Sequence, residues 1–325
     1  MPVLGTELKM YKSVTVSDTT ANGGYMGTTL VSSGVKNNLF PDVPEAERTA
    51  GSVKYRKVFL KIEDSENLAL QTPQVFMTQY TASTDRVIFF VGTQTDVQSA
   101  ITGSERKYGA GQLAADRSSG QTSLAVNVEA AADAIFQNGD FIWISNGTIE
   151  QKLEVQTVSW NADQATLTLA SGNTIGGTYL ASNTVVSSIY SPSDVQTSFD
   201  TWGEVGTGTY NESTYPPVLS NVGTVEDTWT LTFTSATNFS VSGANSGLVG
   251  TGTVSTDFAP NNPSMSAPFF TIRALGWGGT WTTGNTITFK THPAAVPLWL
   301  RRTVPAGASS LSLNTFKLRF DGASA

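Results

Sequence analysis

Cysteine is absent from this 325-residue chain, which excludes disulfides and thiolate metal ligands and leaves the redox compartment unspecified. Histidine is nearly absent as well. His292, the single one, stands in Lys290-Thr291-His292-Pro293-Ala294, short of the three or four ligands of a zinc site. No Gly-x-Ser-x-Gly elbow exists to present a nucleophile to it. Charge is scarce: 14% of residues are charged, against roughly 25% in ordinary soluble domains. The net charge of −7, with no cluster of Lys and Arg, opposes direct binding to a nucleic-acid backbone. No apolar run approaches the roughly 18 residues of a membrane helix. Met1 to Lys12 carries Pro2, Glu7 and Lys9 where a secretory signal would have its apolar core, so synthesis in a cytoplasm without export by the usual route is expected.

What fills the space left by charge is Thr, Ser, Gly and Asn, together with 39% hydrophobic and 10% aromatic residues. The apolar content argues against disorder. A neutral polar surface suits extended β-structure and faces buried against other copies, since an unpaired charge is costly to bury. Length points to two or three domains. The pattern is that of an all-β chain, with several β-sandwich or small barrel modules joined by long loops.

The organising stretch is Ser52 to Val91. In Lys57-Val58-Phe59-Leu60-Lys61-Ile62, Val58, Leu60 and Ile62 share one side of an extended chain, with Tyr55 and Phe59 on the other. Glu63-Asp64-Ser65-Glu66-Asn67 offers a polar hairpin turn, after which Leu68, Leu70, Val75 and Met77 resume the alternation. Arg86 to Val91 then gives five consecutive apolar residues, as a strand buried on both faces requires. Residues 1–50 read as an arm, with one helical turn at Pro44 to Arg48, and 51–110 as a first β-sandwich region whose end is a linker. Residues 111–190 read as a small inserted β-barrel or sandwich, with strands at 124–128, 141–144, 153–158, 165–169 and 184–189. Asn138-Gly139, Asn146-Gly147 and Asn161-Ala162-Asp163 punctuate it as hairpin turns, and Ala130 to Phe136 is a short helix. Residues 191–223 form a crossing segment. Residues 224–325 form a C-terminal β-sandwich region, opened by Trp229, Leu231 and Phe233 alternating with threonines and continued at 239–241, 269–273, 286–289, 297–302 and 316–320.

Reactive groups are few. Paired carboxylates are the one enzymatic option, because a glycosidase on a β-scaffold needs only two, about 5 to 10 Å apart. The candidates are Glu63, Asp64 and Glu66, Asp200 with Glu204, and Glu226 with Asp227, all in polar loop-like sequence where surface charge is the ordinary role. The first group lacks the spacing and glycine of an EF-hand. Gly-x-Gly at residues 109, 206 and 250 lacks the third glycine and helix of a nucleotide site. No catalytic, cofactor-binding or metal residue is assigned. Trp202, Tyr210 and Tyr215 lie in or beside weakly periodic sequence, where they can anchor a subunit interface, stack on a sugar or pack within the chain. Arg301 and Arg302, adjacent on a strand, point to opposite faces and can meet acidic groups of a neighbour or of the same chain.

Several of these stretches resemble virion structural proteins of tailed bacteriophages. One is Trp229-Thr-Leu-Thr-Phe-Thr with Gly276-Trp277-Gly278-Gly279-Thr280, Pro293-Ala294-Ala295, Trp299, Arg301-Arg302 and Pro305-Ala306-Gly307. Another is Tyr55-Arg56-Lys57-Val58-Phe59 preceded by Glu47-Arg48-Thr49-Ala50-Gly51, which looks like the opening strand of a domain in the same group. The middle unit, with Thr122-Ser-Leu-Ala-Val and Asn138-Gly139-Asp140-Phe141-Ile142, is similar to a small β-module of phage tail and fibre proteins. The resemblance implies a non-catalytic virion component, made in the host bacterial cytoplasm. Its partners would be other copies of itself and other virion proteins of the capsid, portal or neck, or tail, with no direct nucleic acid and no membrane. The N-terminal arm or the 191–223 segment is then expected to be ordered by another chain. A host-surface glycan-binding module and, more remotely, a polysaccharide-degrading enzyme are the alternatives.

Overall fold

The architecture is that of a computed structural model describing residues 3–324; Met1, Pro2 and Ala325, at the ends of the expected arm and C-terminal region, lie outside the described residues. The chain starts with β1 (Leu8–Thr15) and β2 (Gly23–Leu30), then a short helix α1 (Glu45–Ala50) and the long strand β3 (Ser52–Ile62). β1 lies antiparallel on β3, with Leu8 opposite Ile62 and Lys12 opposite Val58. The expected arm, whether draped over the first sandwich or docked on a neighbouring subunit, thus supplies two strands, β1 and β2, to the first sheet of its own chain. Its own chain holds it, because the edge of β3 offers a row of unpaired main-chain groups that must be satisfied.

After β3 the chain turns a corner. Leu68 N–H donates to Asp64 Oδ2 (2.5 Å) and Asn67 takes a positive φ of 60°. β4 (Leu70–Gln79) then leaves for a second layer, and β5 (Arg86–Val91) and the two-residue β6 (Lys107–Tyr108) return to the first. The expected hairpin at residues 63–67 does not form, because both edges of β3 are already occupied.

The next six strands close on themselves. They are β7 (Ala110–Leu113), β8 (Ser123–Asn127), β9 (Phe141–Ser145), β10 (Glu150–Asn161), β11 (Gln164–Leu169) and β12 (Val185–Ser188). Their order round the barrel is β10-β11-β8-β7-β12-β9. Inward residues such as Leu124, Val126, Ile142, Ile144, Leu153, Val155, Leu167 and Val186 are fully or almost fully buried, each worth about 1.5–3 kcal/mol relative to exposure. The 146–149 connection is a four-residue loop, in which Asn146 Oδ1 accepts from the N–H groups of Thr148 and Ile149 and Gly147 takes a φ of 87°. A two-residue turn does join β10 to β11, with Asn161 opposite Gln164 and Ala162 at a φ of 48°. The expected helix at 130–136 is one 3-10 turn at Ala131–Asp133, ended by Ala134 at a φ of 46°.

The third body is a five-stranded sheet. Its strands and their small neighbours are β13 (Ser198–Val205), β14 (Gly208–Tyr210), β15 (Asp227–Phe233), β16 (Asn238–Gly243), β17 (Gly247–Thr253), β18 (Asn261–Asn262), β19 (Ala267–Pro268), β20 (Trp277–Gly279) and β21 (Thr286–His292). The main sheet has the order β13-β21-β15-β16-β17. Trp229, Leu231 and Phe233 turn inward as their alternation requires, against Phe239, Phe270, Trp281 and Phe289. Residues 269–273, expected as a strand, make only isolated bridges from Thr271 to Val218 and from Ile272 to Phe258.

The last two strands go back to the beginning. β22 (Ala295–Val304) inserts between β3 and β5, completing a six-stranded sheet of order β2-β1-β3-β22-β5-β6, and β23 (Lys317–Ser324) pairs with β4. Val58, Leu60, Ile62, Phe89, Leu298 and Leu300 from the large sheet meet Leu70, Val75 and Met77 of β4 in one sandwich core. The C-terminal region is thus divided between two bodies: residues 224–292 join β13 and β14 in the third, and 295–324 return to the first. The 191–223 segment also folds back on its own chain. Asn221 Nδ2 donates to Leu68 O (2.9 Å), Val195 bridges Leu70, and Lys61 Nζ donates to Val222 O (2.6 Å). Lys61 and Asn221 are fully buried, so their polar groups need such partners.

Candidate functional site

Among the residues singled out from the sequence, the aromatic ones pack inside the third body. Trp202, on β13, lies against Phe289 (centroids 5.3 Å apart, planes at 25°) and Tyr210 (5.3 Å, 35°), and its indole N–H donates to Glu204 Oε1 (3.0 Å). Tyr210 is buried; its hydroxyl donates to Arg273 O (3.2 Å) and accepts from Arg273 N–H (3.1 Å), and burial pushes its pKa up to about 12. Tyr215 packs against the same cluster. A sugar platform needs an open aromatic face, whereas Trp202 is half-buried with its ring engaged by Phe289 and Tyr210.

The two arginines diverge as the strand period dictates. Arg301 reaches toward the barrel and bonds Asp133 Oδ1, whose Oδ2 accepts from Arg86 Nε (3.0 Å). Arg302 turns to the N-terminal side, donates to Pro41 O (2.7 Å) and lies 5.0 Å from the centre of the Phe40 ring. Both are engaged within the chain.

His292 brings together carboxylates that are far apart in sequence. The pairing of β21 with β13 and β15 places its Nδ1 2.8 Å from Glu226 Oε2 and its Nε2 3.2 Å from Asp200 Oδ2. Lys290 Nζ meets the other oxygen of Glu226 at 2.8 Å. The hydrogen bond to His292 holds the exposed Asp200 carboxyl below the usual range. With both imidazole nitrogens held by carboxylates, no free one faces a nucleophile, which general-base catalysis needs. Asp227 is structural: it accepts from the N–H groups of Thr228 (2.8 Å), Asn245 (3.0 Å) and Ser246 (2.8 Å), tying down the turn into β17. In the first acidic group, Glu63 accepts from Tyr11 Oη (2.6 Å) and Asp64 caps the corner after β3. No group of three or more His, Asp or Glu side chains among the described residues is placed to hold a metal ion.

A cleft that the sequence did not reveal lies where the barrel meets the first sheet. Its volume is about 280 Å³, and Tyr80, Arg86, Gln112, Glu129, Asp133 and Ile135 are among its walls. Glu129 is exposed as a residue, yet the walls desolvate its carboxyl and push its pKa up to about 8; Asp85 adds repulsion and Arg86 opposes it. Asp133 is neutralised by the two arginines, and Asp85 is buried with a hydrogen bond from Asn314. Asp163, across the mouth, accepts from Ala131 N–H (2.9 Å), so each carboxylate found beside Glu129 among the described residues already has a partner. No periodic signal marks Glu129, because it follows the end of β8 and its neighbours come from β5 and the turn at residue 133.

No family model matches this chain, and no curated protein does. Two solved structures show slight likeness. One is VP17, a capsid protein of bacteriophage P23-77, at 9% identity over 78% of this chain and 88% of that one, with a TM-score of 0.18. The other is the complex of the two major capsid proteins VP16 and VP17 of the same phage, at 10% identity over 78% and 90%, also with a TM-score of 0.18. Such scores do not establish a shared fold. No helix among the described residues is long and apolar enough to cross a membrane.

Proposed function

We propose that this chain is a non-catalytic structural subunit of a tailed-phage virion, present in many copies on the head, the neck or the tail and made in the cytoplasm of the host bacterium. One observation supports this above all. The side chains that the sequence singled out for chemistry or recognition are engaged inside the chain: His292 between two carboxylates, Trp202 against Phe289, Arg301 on Asp133 and Arg302 on Pro41. What remains is a stiff frame whose first sheet is built from both ends of the sequence, a construction suited to bearing load between neighbours. The resemblance of the 55–59, 122–142 and 229–307 stretches to virion proteins supplies the setting.

The test is quantitative mass spectrometry of purified, salt-washed particles encoding this sequence, followed by labelling of the subunit in electron micrographs. Stoichiometric, multi-copy occurrence at one symmetric location is expected. Loss of the protein from washed particles, or turnover of a polysaccharide by the purified chain, would remove the reading. Binding to host polysaccharide that disappears in Trp202→Ala would instead favour a host-surface role.

A further inference from the structure

The sheet edges of this molecule are unequal. β13 carries Asp200 and Glu204 and is broken by a register shift between Asp200 and Gly203. β23 carries Lys317, Arg319 and Asp321. β2 meets β1 through two register shifts, beside Lys9 and Lys12, and β6 has only two residues. Such charges and irregularities are how exposed edges are kept from pairing. β17 is different. Between Asp227 and Asp257 there is no charged residue at all, and β15, β16 and β17 after Asp227 lie wholly within that interval.

The hydrogen-bonding phase of the edge follows from the ladder. Asn238, Phe239, Ser240 and Val241 stand opposite Thr253, Gly252, Thr251 and Gly250, and one step further Val254 N–H donates to Thr237 O (3.0 Å). Bonded and open pairs alternate in an antiparallel ladder, so Thr251 and Thr253 fall at open pairs. Their N–H and C=O groups point away from β16, outward from the sheet. Leu248, 73% exposed, stands beside them. A bulge between Val241 and Ser242, with Gly250 at a φ of 151°, bends the start of the strand and leaves 251–253 regular.

We infer that β17 pairs, antiparallel about a two-fold axis, with β17 of a second copy of this chain, joining two five-stranded sheets into one. Charge selects this partner and this edge. A chain of net charge −7 repels its own copy wherever acidic groups face each other, and the 228–256 interval is a place where two copies meet without that penalty. An isologous contact also makes the edge its own complement: the outward N–H of Thr251 or Thr253 finds the outward C=O of the same short run. The pairing deepens the virion reading by naming one contact between copies, but it stands or falls on the purified chain.

Sedimentation of the full chain over roughly 1–100 µM, the range of modest specific contacts, reads it directly. The wild type is expected to move from the 34.4 kDa of one chain toward twice that mass. Thr251→Pro deletes an outward N–H without touching a bond to β16, and Thr251→Lys brings two like charges into one short paired run; each is expected to weaken dimerisation at least tenfold. Thr251 is exposed, so Thr251→Lys serves even if the proline variant fails to fold. A wild type that stays at one-chain mass throughout, or a dimer that both folded variants leave unchanged, overturns the inference. Because no particle is involved, a dimer of a protein missing from virions would leave the pairing intact and remove only the virion role.

Discussion

Lys57 and Lys61 show how much a single residue owes to its surroundings. Both sit on the face of β3 that carries Phe59, and both are completely buried. A buried ammonium is tolerable only when paired and hydrogen-bonded. Lys57 Nζ meets Gly24 O (2.6 Å), Asp96 O (2.9 Å) and Asp96 Oδ1 (2.6 Å), using all three donors. Burial lowers the pKa of each lysine, with Asp96 and Glu63 opposing it. Glu129 is the opposite case, a carboxyl favoured in its neutral form. Its folded pKa of about 8 stands above the ordinary 4.5, so its contribution to stability is full below about 4.5 and is lost as pH rises toward about 8. The charged groups around it are Asp85 just before β5, Arg86 at the start of β5, Asp133, which Arg301 clamps from behind, and Asp163 across the mouth. Glu129→Gln is expected to flatten the fall in denaturation midpoint between pH 5 and pH 8.5, so that the variant exceeds the wild type at the alkaline end. Parallel denaturation curves across that window would contradict the assignment.

At the scale of elements, the clean alternation of β15 was readable from its sequence because its threonines face outward and its apolar residues inward. The hairpin at 161–164 was readable for a similar local reason. Barrel closure was not, since it depends on how near two strands can come. At Gly111 on β7, a Cβ would lie 2.3 Å from the main-chain oxygen of Asn127 and 2.9 Å from a methyl of Val126 on β8. Neither neighbour can yield without moving its strand. Gly111→Ala is expected to cost about 1–3 kcal/mol or more. Hydrogen exchange reads this locally: amides of β7, β8 and β12 should lose protection while those of β15 and β16 keep theirs. Uniform or unchanged protection would show that the seam is looser than its geometry.

For the whole molecule, the barrel is an excursion from a frame that the chain leaves after β6 and completes only with β22 and β23. Its core residues come from within the barrel segment except for Ile88 of β5. Residues 105–190 expressed alone are therefore expected to unfold cooperatively on heating, with native-like dispersion in an amide NMR spectrum; a collapsed spectrum would mean that the frame is needed to fold it. The converse does not hold for the first sandwich. Residues 3–106 lack β22, which pairs with β3 along ten positions from Ala295–Lys61 to Val304–Ser52. In the assembled chain Phe76 of β4 lies against Trp143 of the barrel (centroids 5.3 Å apart), and Asp133 ties the barrel to both β5 and β22. These contacts hold separate cores in one frame.

The sequence by itself determined the all-β class, the positions of most strands and the scarcity of reactive groups, because two-residue periodicity and composition are local properties; where a distant strand took an edge first, as at β3, the locally expected hairpin at 63–67 gave way. Only the tertiary structure decided which strand lies beside which. It took the last strands back to the first sheet, gave the N-terminal strand an intrachain partner, buried two lysines and drew His292 between Asp200 and Glu226. The physical reason is that a strand's edge specifies hydrogen bonds without specifying a partner. Satisfying every buried main-chain group at once is a global condition, which residues separated by more than two hundred positions can meet only after the chain has folded.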